Sequence, residues 1–190
     1  MTRLVVRRRA RRGLELPAPP PPPPLEIADR QRIIKVPLRR LQRAVAAALA
    51  LKPRRRGPIS LVILDDRAIR RIHHDHLGID EPTDVLSFPL EGASGGMLGE
   101  VLVSAETARR EGRARGIAPA DELLLYVVHG VLHLLGFDDH APAARKKMRA
   151  AERAALRAVS IRRDLFPSRE GARGKSRRSV LPIEDSGGRR

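Results

Sequence analysis

Residues 119–140 read PADELLLYVVHGVLHLLGFDDH, and the fold is decided by how this stretch is read. Pro119 suits a first helical turn, Asp121 and Glu122 complement the positive end of a helix dipole, and Gly136 suits a left-handed stop. Between those ends the segment is apolar nearly all round, which predicts a buried central helix. His129 and His133 are four residues apart, so they project from one face, one turn above the other. Burying two imidazoles among Leu and Val without partners is costly. A metal ion satisfies both at once, and an i, i+4 histidine pair on a helix is the geometry of zinc-binding helices. The competing reading is a pair of core histidines bonded to backbone carbonyls. It suits a lone histidine better than two at this spacing, followed by Gly and a further His/Asp cluster. A turn at Gly136 lets the chain double back and brings Asp139 or His140 toward the same metal as a third ligand.

In the protease signature H-E-x-x-H, the Glu after the first His is the general base. Here that position is Gly130, which disfavours a peptidase while keeping the metal cradle. With three protein ligands a fourth position can hold water, which the metal acidifies into a nucleophile. The catalytic group expected is therefore a metal-bound water held by His129 and His133.

Composition narrows the substrate. The 190-residue chain carries 38 Lys+Arg against 22 Asp+Glu, a net charge of +16 that concentrates polyanions, of which nucleic acid is the commonest in a cell. A hydrolase beside such a surface points to a phosphodiester. Aromatic residues make up only 2% of the chain, so stacking on unpaired bases is not the expected source of affinity. There is no Cys, hence no disulfide framework and no thiolate metal site. No window approaches the roughly 18 apolar residues of a membrane span. A cytoplasmic protein with no membrane partner and no nucleotide cofactor is expected.

PAPPPPPP at residues 17–24 predicts an exposed polyproline II spacer, since proline lacks the backbone donor and fixes φ. It sets off a basic arm with six arginines between Arg3 and Arg12, so residues 1–24 are expected to be disordered. The Ser/Gly/Arg-rich residues 167–190 are expected to form a second disordered, basic tail. One hydrolase domain should span residues 25–166. Within it, strands are predicted at LEIADRQR (25–32), ISLVILDD (59–66), DVLSFPL (84–90) and GEVLVSAET (99–107). Helices are predicted at Pro37–Leu51, with Leu38, Leu41, Val45 and Leu49 on one stripe, then at Arg67–His76, Ala105–Arg115, Pro119–Leu135 and Pro142–Val159. This alternation implies an α/β fold: a small mixed sheet of about four strands packed with helices, with the central buried helix carrying the metal ligands.

HGVLHLLGFDDH (129–140), EPTDVLSFPLEG (81–92) and GEVLVSAETA (99–108) occur in an order and at separations that resemble the bacterial YbeY family of metal-dependent endoribonucleases and ribosomal RNA maturation factors. The resemblance runs from about Leu25 to Val159. It implies zinc, one Zn(2+) per chain, and cleavage of single-stranded RNA. It also implies maturation of the 3′ end of small-subunit ribosomal RNA and ribosome quality control, with ribosomal RNA and the small ribosomal subunit as partners. A non-catalytic ribosome assembly or RNA-binding factor with a structural metal is the alternative.

There are two departures. The family places its third His six residues after the second; here that residue is Asp139, with His140 one later, so spacing favours Asp139 and ligand type favours His140. The family also often has an Arg where this chain has Leu77, so any phosphate-clamping role must move or be lost. Arg70, Arg71, Arg109, Arg110 and Arg113 could supply charge, though each taken singly reads better as part of an ordinary solvated helix face. In PTDVLSFP, Thr83 and Asp84 should turn the chain into a strand, Phe88 should sit in the core, and Ser87 is the residue expected to face the cleft. His73, His74 and His76 are expected at a solvated helix end rather than in a second metal site. EGASGGM (91–97) should be a flexible connection.

Overall fold

A computed structural model describes residues 25–55, 57–90 and 96–161. The expected arm, spacer and tail, and most of the EGASGGM connection, lie outside the described residues. The elements run β1 (Leu25–Asp29), α1 (Leu38–Ala50), β2 (Ile59–Leu64), α2 (Asp66–Leu77), β3 (Val85–Pro89), β4 (Gly99–Ser104), α3 (Ala105–Ala114), α4 (Pro119–Leu134) and α5 (Pro142–Arg157). This is the α/β class with a four-stranded mixed sheet, in the order β1-β2-β4-β3. β1 and β4 both run parallel to β2, and β3 returns antiparallel on β4.

β1 stops short of the expected LEIADRQR because Gln31 folds the chain. Its Oε1 accepts the backbone N–H of Ile33 and Ile34, while its Nε2 donates to Asp29 and to the Ile34 carbonyl. In α1 the buried stripe is Leu41, Ala44, Val45 and Ala48; Leu38, expected on it, is exposed. The strand expected to run on to Thr107 ends at Ser104, whose hydroxyl accepts the Thr107 N–H at 3.0 Å and so starts α3.

Period-2 alternation gives the sheet two apolar faces. Ile59, Leu61 and Ile63 of β2, with Val101 and Val103 of β4, belong to the large core shared with α1, α4 and α5. Val62, Leu64, Leu86 and Leu102 face the other way, against Ile69 of α2. α4 lies deep in the larger layer: every residue from Glu122 to Leu134 is buried. Each large apolar side chain withdrawn from water there contributes about 1.5–3 kcal/mol of transfer free energy.

A candidate metal centre at the end of the buried helix

α4 brings His129 and His133 to its last two turns, each only 5% exposed. Their Nε2 atoms face one another at 3.0 Å. The far sides of both rings are anchored: His129 Nδ1 lies 2.8 Å from Glu152 Oε1 on α5, and His133 Nδ1 lies 3.0 Å from the Phe137 carbonyl. A carbonyl or an ionised carboxylate only accepts, so these partners assign each ring proton to Nδ1 and turn the Nε2 lone pairs toward each other. Burial, reinforced by the neighbouring His129, pushes the His133 pKa from 6.5 down to about 4.

The turn after α4 supplies the third group. Gly136 adopts φ +80°, a conformation that side chains resist, and lets Phe137 N–H donate back to the Leu132 carbonyl at 3.0 Å. Asp138 Oδ1 then accepts the N–H groups of Asp139 and His140 at 2.8 and 3.2 Å. From α5, Arg145 donates to the Asp139 and His140 carbonyls at 3.1 and 3.2 Å. Held this way, the Asp139 carboxylate sits 3.8 Å from His129 Nε2 and 3.9 Å from His133 Nε2. Both distances are too long for hydrogen bonds.

These three side chains offer ligand atoms that all lie within 4.8 Å of one another. A proton shared between the two rings would satisfy the histidines and leave the carboxylate unserved, whereas a cation among the three satisfies all of them. The 3.0 Å separation is also close to that of two nitrogens each about 2.0–2.1 Å from one zinc. The residues fit a divalent ion. His140 is placed differently: its side chain is 68% exposed and its Nε2 lies 3.6 Å from Asp138. Asp138, Asp139 and His140 also cluster within 4.8 Å, but that set is mostly exposed and lacks the buried pair.

Several expectations need correction. Ser87 does not face a cleft. It is buried under α4 and donates to the Gly130 carbonyl at 3.2 Å. Gly130 marks a close approach of α4 to the sheet, where an added Cβ would come within 2.6 Å of Val101 Cγ1 and 2.9 Å of Val85 Cγ2. A carboxylate in the peptidase position would thus meet packed valine, beyond the chemical reading of a missing base. His73 is buried, not solvated, and its Nδ1 lies 2.7 Å from the Glu81 carbonyl. His74 and His76 are exposed, and no metal-binding trio forms around them among the described residues. Phe88 is half-buried on the outer sheet face, its ring 5.1 Å from that of His76.

Leu77 packs against the smaller core cluster of Val62, Leu64, Ile69, Leu86 and Leu102, an apolar role. Arg70 is paired with Asp80, and Arg110 with Asp66 at 2.8 Å. Other cations contact the end of α4 and the turn that follows it. Lys52 Nζ lies 5.1 Å from the Phe137 ring centroid, and Arg55 Nη1 donates to the Leu134 carbonyl at 3.2 Å. Arg145 holds the Asp139 backbone, as described above. Sequence reasoning missed these three residues and Glu152. For Glu152 there was a signal: a lone acid on the apolar stripe Met148, Ala151, Ala155, Leu156 of the last helix.

The fold and site together define an α/β protein with a two-histidine, one-carboxylate donor set at the C-terminal end of a buried helix. A family model described as Endoribonuclease YbeY matches residues 26–160. A Rhodopirellula baltica protein named endoribonuclease YbeY is 40% identical over 134 residues, covering 70% of this chain and 69% of that one. One from Anaeromyxobacter sp., with the same name, is 43% identical over 125 residues, 65% of each chain. The solution structure of TM1509 from Thermotoga maritima has the same fold, with a TM-score of 0.51 at 23% identity over 71% of this chain and 88% of that one. The chain belongs to the endoribonuclease YbeY family, and with it to the nucleases that hydrolyse phosphodiester bonds.

Proposed function

We propose that this protein is a zinc-dependent single-strand endoribonuclease that matures the 3′ end of small-subunit ribosomal RNA and acts in ribosome quality control. One Zn(2+) per chain would be held by His129, His133 and Asp139. The observation that carries the reading is the convergence of two anchored imidazole nitrogens and one carboxylate on a single point. When bound there, the ion acidifies water and offsets charge developing on a phosphodiester.

The protein's own groups do the rest. Glu152 and the Phe137 carbonyl keep both rings oriented, and Arg145 holds the Asp139 loop. Asp139, 31% exposed, forms the open side of the site. Lys52 and Arg55, beside the turn that precedes Asp139, are placed to attract the RNA backbone, and the net charge of +16 adds a long-range field. Preference for RNA over DNA would come from cleft shape and contacts to the 2′-hydroxyl. Among the described residues no single helix is long and apolar enough to cross a membrane. The partners proposed are ribosomal RNA and the small ribosomal subunit, in the cytoplasm.

The test is zinc analysis together with cleavage of single-stranded ribosomal RNA by the wild type and His133→Ala. About one zinc per chain and chelator-sensitive cleavage are expected, both lost in the variant. A zinc-loaded, folded wild type that leaves RNA intact yet binds ribosomal particles would replace this reading with that of an assembly factor.

A further inference from the structure

α5 turns an otherwise apolar face inward: Met148, Ala151, Ala155 and Leu156 are buried, and Glu152 is buried among them at 4% exposure. A carboxylate in that position is costly unless it accepts a good hydrogen bond. It reaches across to α4, where its Oε1 lies 2.8 Å from His129 Nδ1. We infer that Glu152 is a positioning residue of the metal centre: it holds the His129 proton on Nδ1 and so presents the Nε2 lone pair to the point where His133 and Asp139 converge. This rests on the metal reading of the histidine pair and deepens it.

The two histidines are treated differently by the fold. His133 finds its Nδ1 acceptor locally, in the carbonyl of Phe137 four residues on, because the turn at Gly136 delivers it. His129 lies one turn earlier, inside the helix, and the turn at Gly136 does not reach its Nδ1. Its acceptor comes from another element, and it is a carboxylate, 23 residues away in sequence. A bond made only to pack two helices would be as well served by a neutral acceptor. A carboxylate also pushes electron density onto the ring, making the opposite nitrogen a stronger ligand. Asp139 then completes the donor set from the exposed side, while Glu152 acts from the buried side without touching the ion itself.

The experiment compares full-length wild type, Glu152→Gln, Glu152→Ala and His133→Ala for zinc affinity by chelator competition. Thermal unfolding of each metal-free protein and the 15N-detected tautomer of His129 are measured alongside. Glu152→Gln should bind zinc about 10- to 100-fold more weakly, with a metal-free Tm close to that of the wild type, and Glu152→Ala should be weaker still. His129 should carry its proton on Nδ1 in the wild type and lose that preference in Glu152→Ala. If the alanine variant does not fold, the glutamine variant decides alone. Wild-type zinc affinity in folded Glu152→Gln would overturn the inference, as would a metal-free Glu152→Gln that has already melted, since the role would then be structural. His133→Ala tests the underlying site separately: retention of full zinc affinity there would remove the metal centre itself, whatever Glu152 does.

Discussion

Gly130→Ala should destabilise the protein, although alanine is the better helix former. Replacing glycine inside a helix contributes roughly 1 kcal/mol in favour of the variant. Against that, the new Cβ would lie 2.6 Å from Val101 Cγ1, 2.9 Å from Val85 Cγ2 and 3.0 Å from Ser87 Oγ. Both valines are completely buried strand residues, and a β-branched side chain is restricted at χ1, so in a packed core it yields little room. Overpacking of this kind costs about 1–3 kcal/mol, and two stiff contacts on one methyl place it toward the upper figure. The net expectation is a loss of about 1–2 kcal/mol, roughly 3–7 °C in Tm for a domain of this size. Urea and thermal unfolding of the metal-free wild type and variant, followed by far-UV circular dichroism, measure it. A Gly130→Ala protein as stable as the wild type, or more so, would refute the close packing of α4 on β3 and β4. Gly130→Glu, which restores the peptidase pattern, should not fold.

Asp139→Ala should lower zinc affinity strongly while His140→Ala changes it little; the reverse order in a chelator titration would move the third ligand to His140. The metal-free protein should lose stability in acid, because burial and the neighbouring His129 hold the His133 pKa near 4 against 6.5 for an ordinary histidine. The unfolded chain then binds a proton that the folded one refuses. Stability is full above pH 6.5 and falls by up to about 3 kcal/mol as the pH drops toward 4. Unfolding curves that coincide at pH 7 and pH 4.5 would contradict it. Deleting Met1–Leu16 and Arg169–Arg190, outside the described residues, should flatten the salt dependence of RNA binding and leave zinc content unchanged. An unchanged slope in filter-binding or anisotropy titrations would mean these segments do not touch RNA.

The histidine pair was legible because its message is local. Four-residue spacing places two side chains on one helix face whatever surrounds it, and Pro119, Asp121, Glu122 and Gly136 mark the helix ends through their own backbone and dipole preferences. Strand and helix positions came from periodicity in the same way, and they erred at boundaries where a particular side chain intervened. Gln31 cut β1 short by capturing nearby N–H groups, and Ser104 ended β4 by capping α3. His73 was misjudged because its acceptor, the Glu81 carbonyl, is offered by a loop whose path no spacing rule gives.

The amino-acid sequence alone determined the α/β class, the buried helix, two of the three groups in the candidate centre and the family. Each of these rests on short-range geometry or on motifs read in order. Tertiary structure decided the rest. The sheet order β1-β2-β4-β3 follows from long-range pairing. That Asp139 rather than His140 lies beside the histidine pair depends on a turn fastened by Asp138 and Arg145. Glu152 reaches His129 only because α5 packs across α4, and Gly130 faces the valines of β3 and β4 only because α4 lies on that part of the sheet. Such contacts join residues far apart in the chain, so they exist only once the core has closed, and no local pattern carries them.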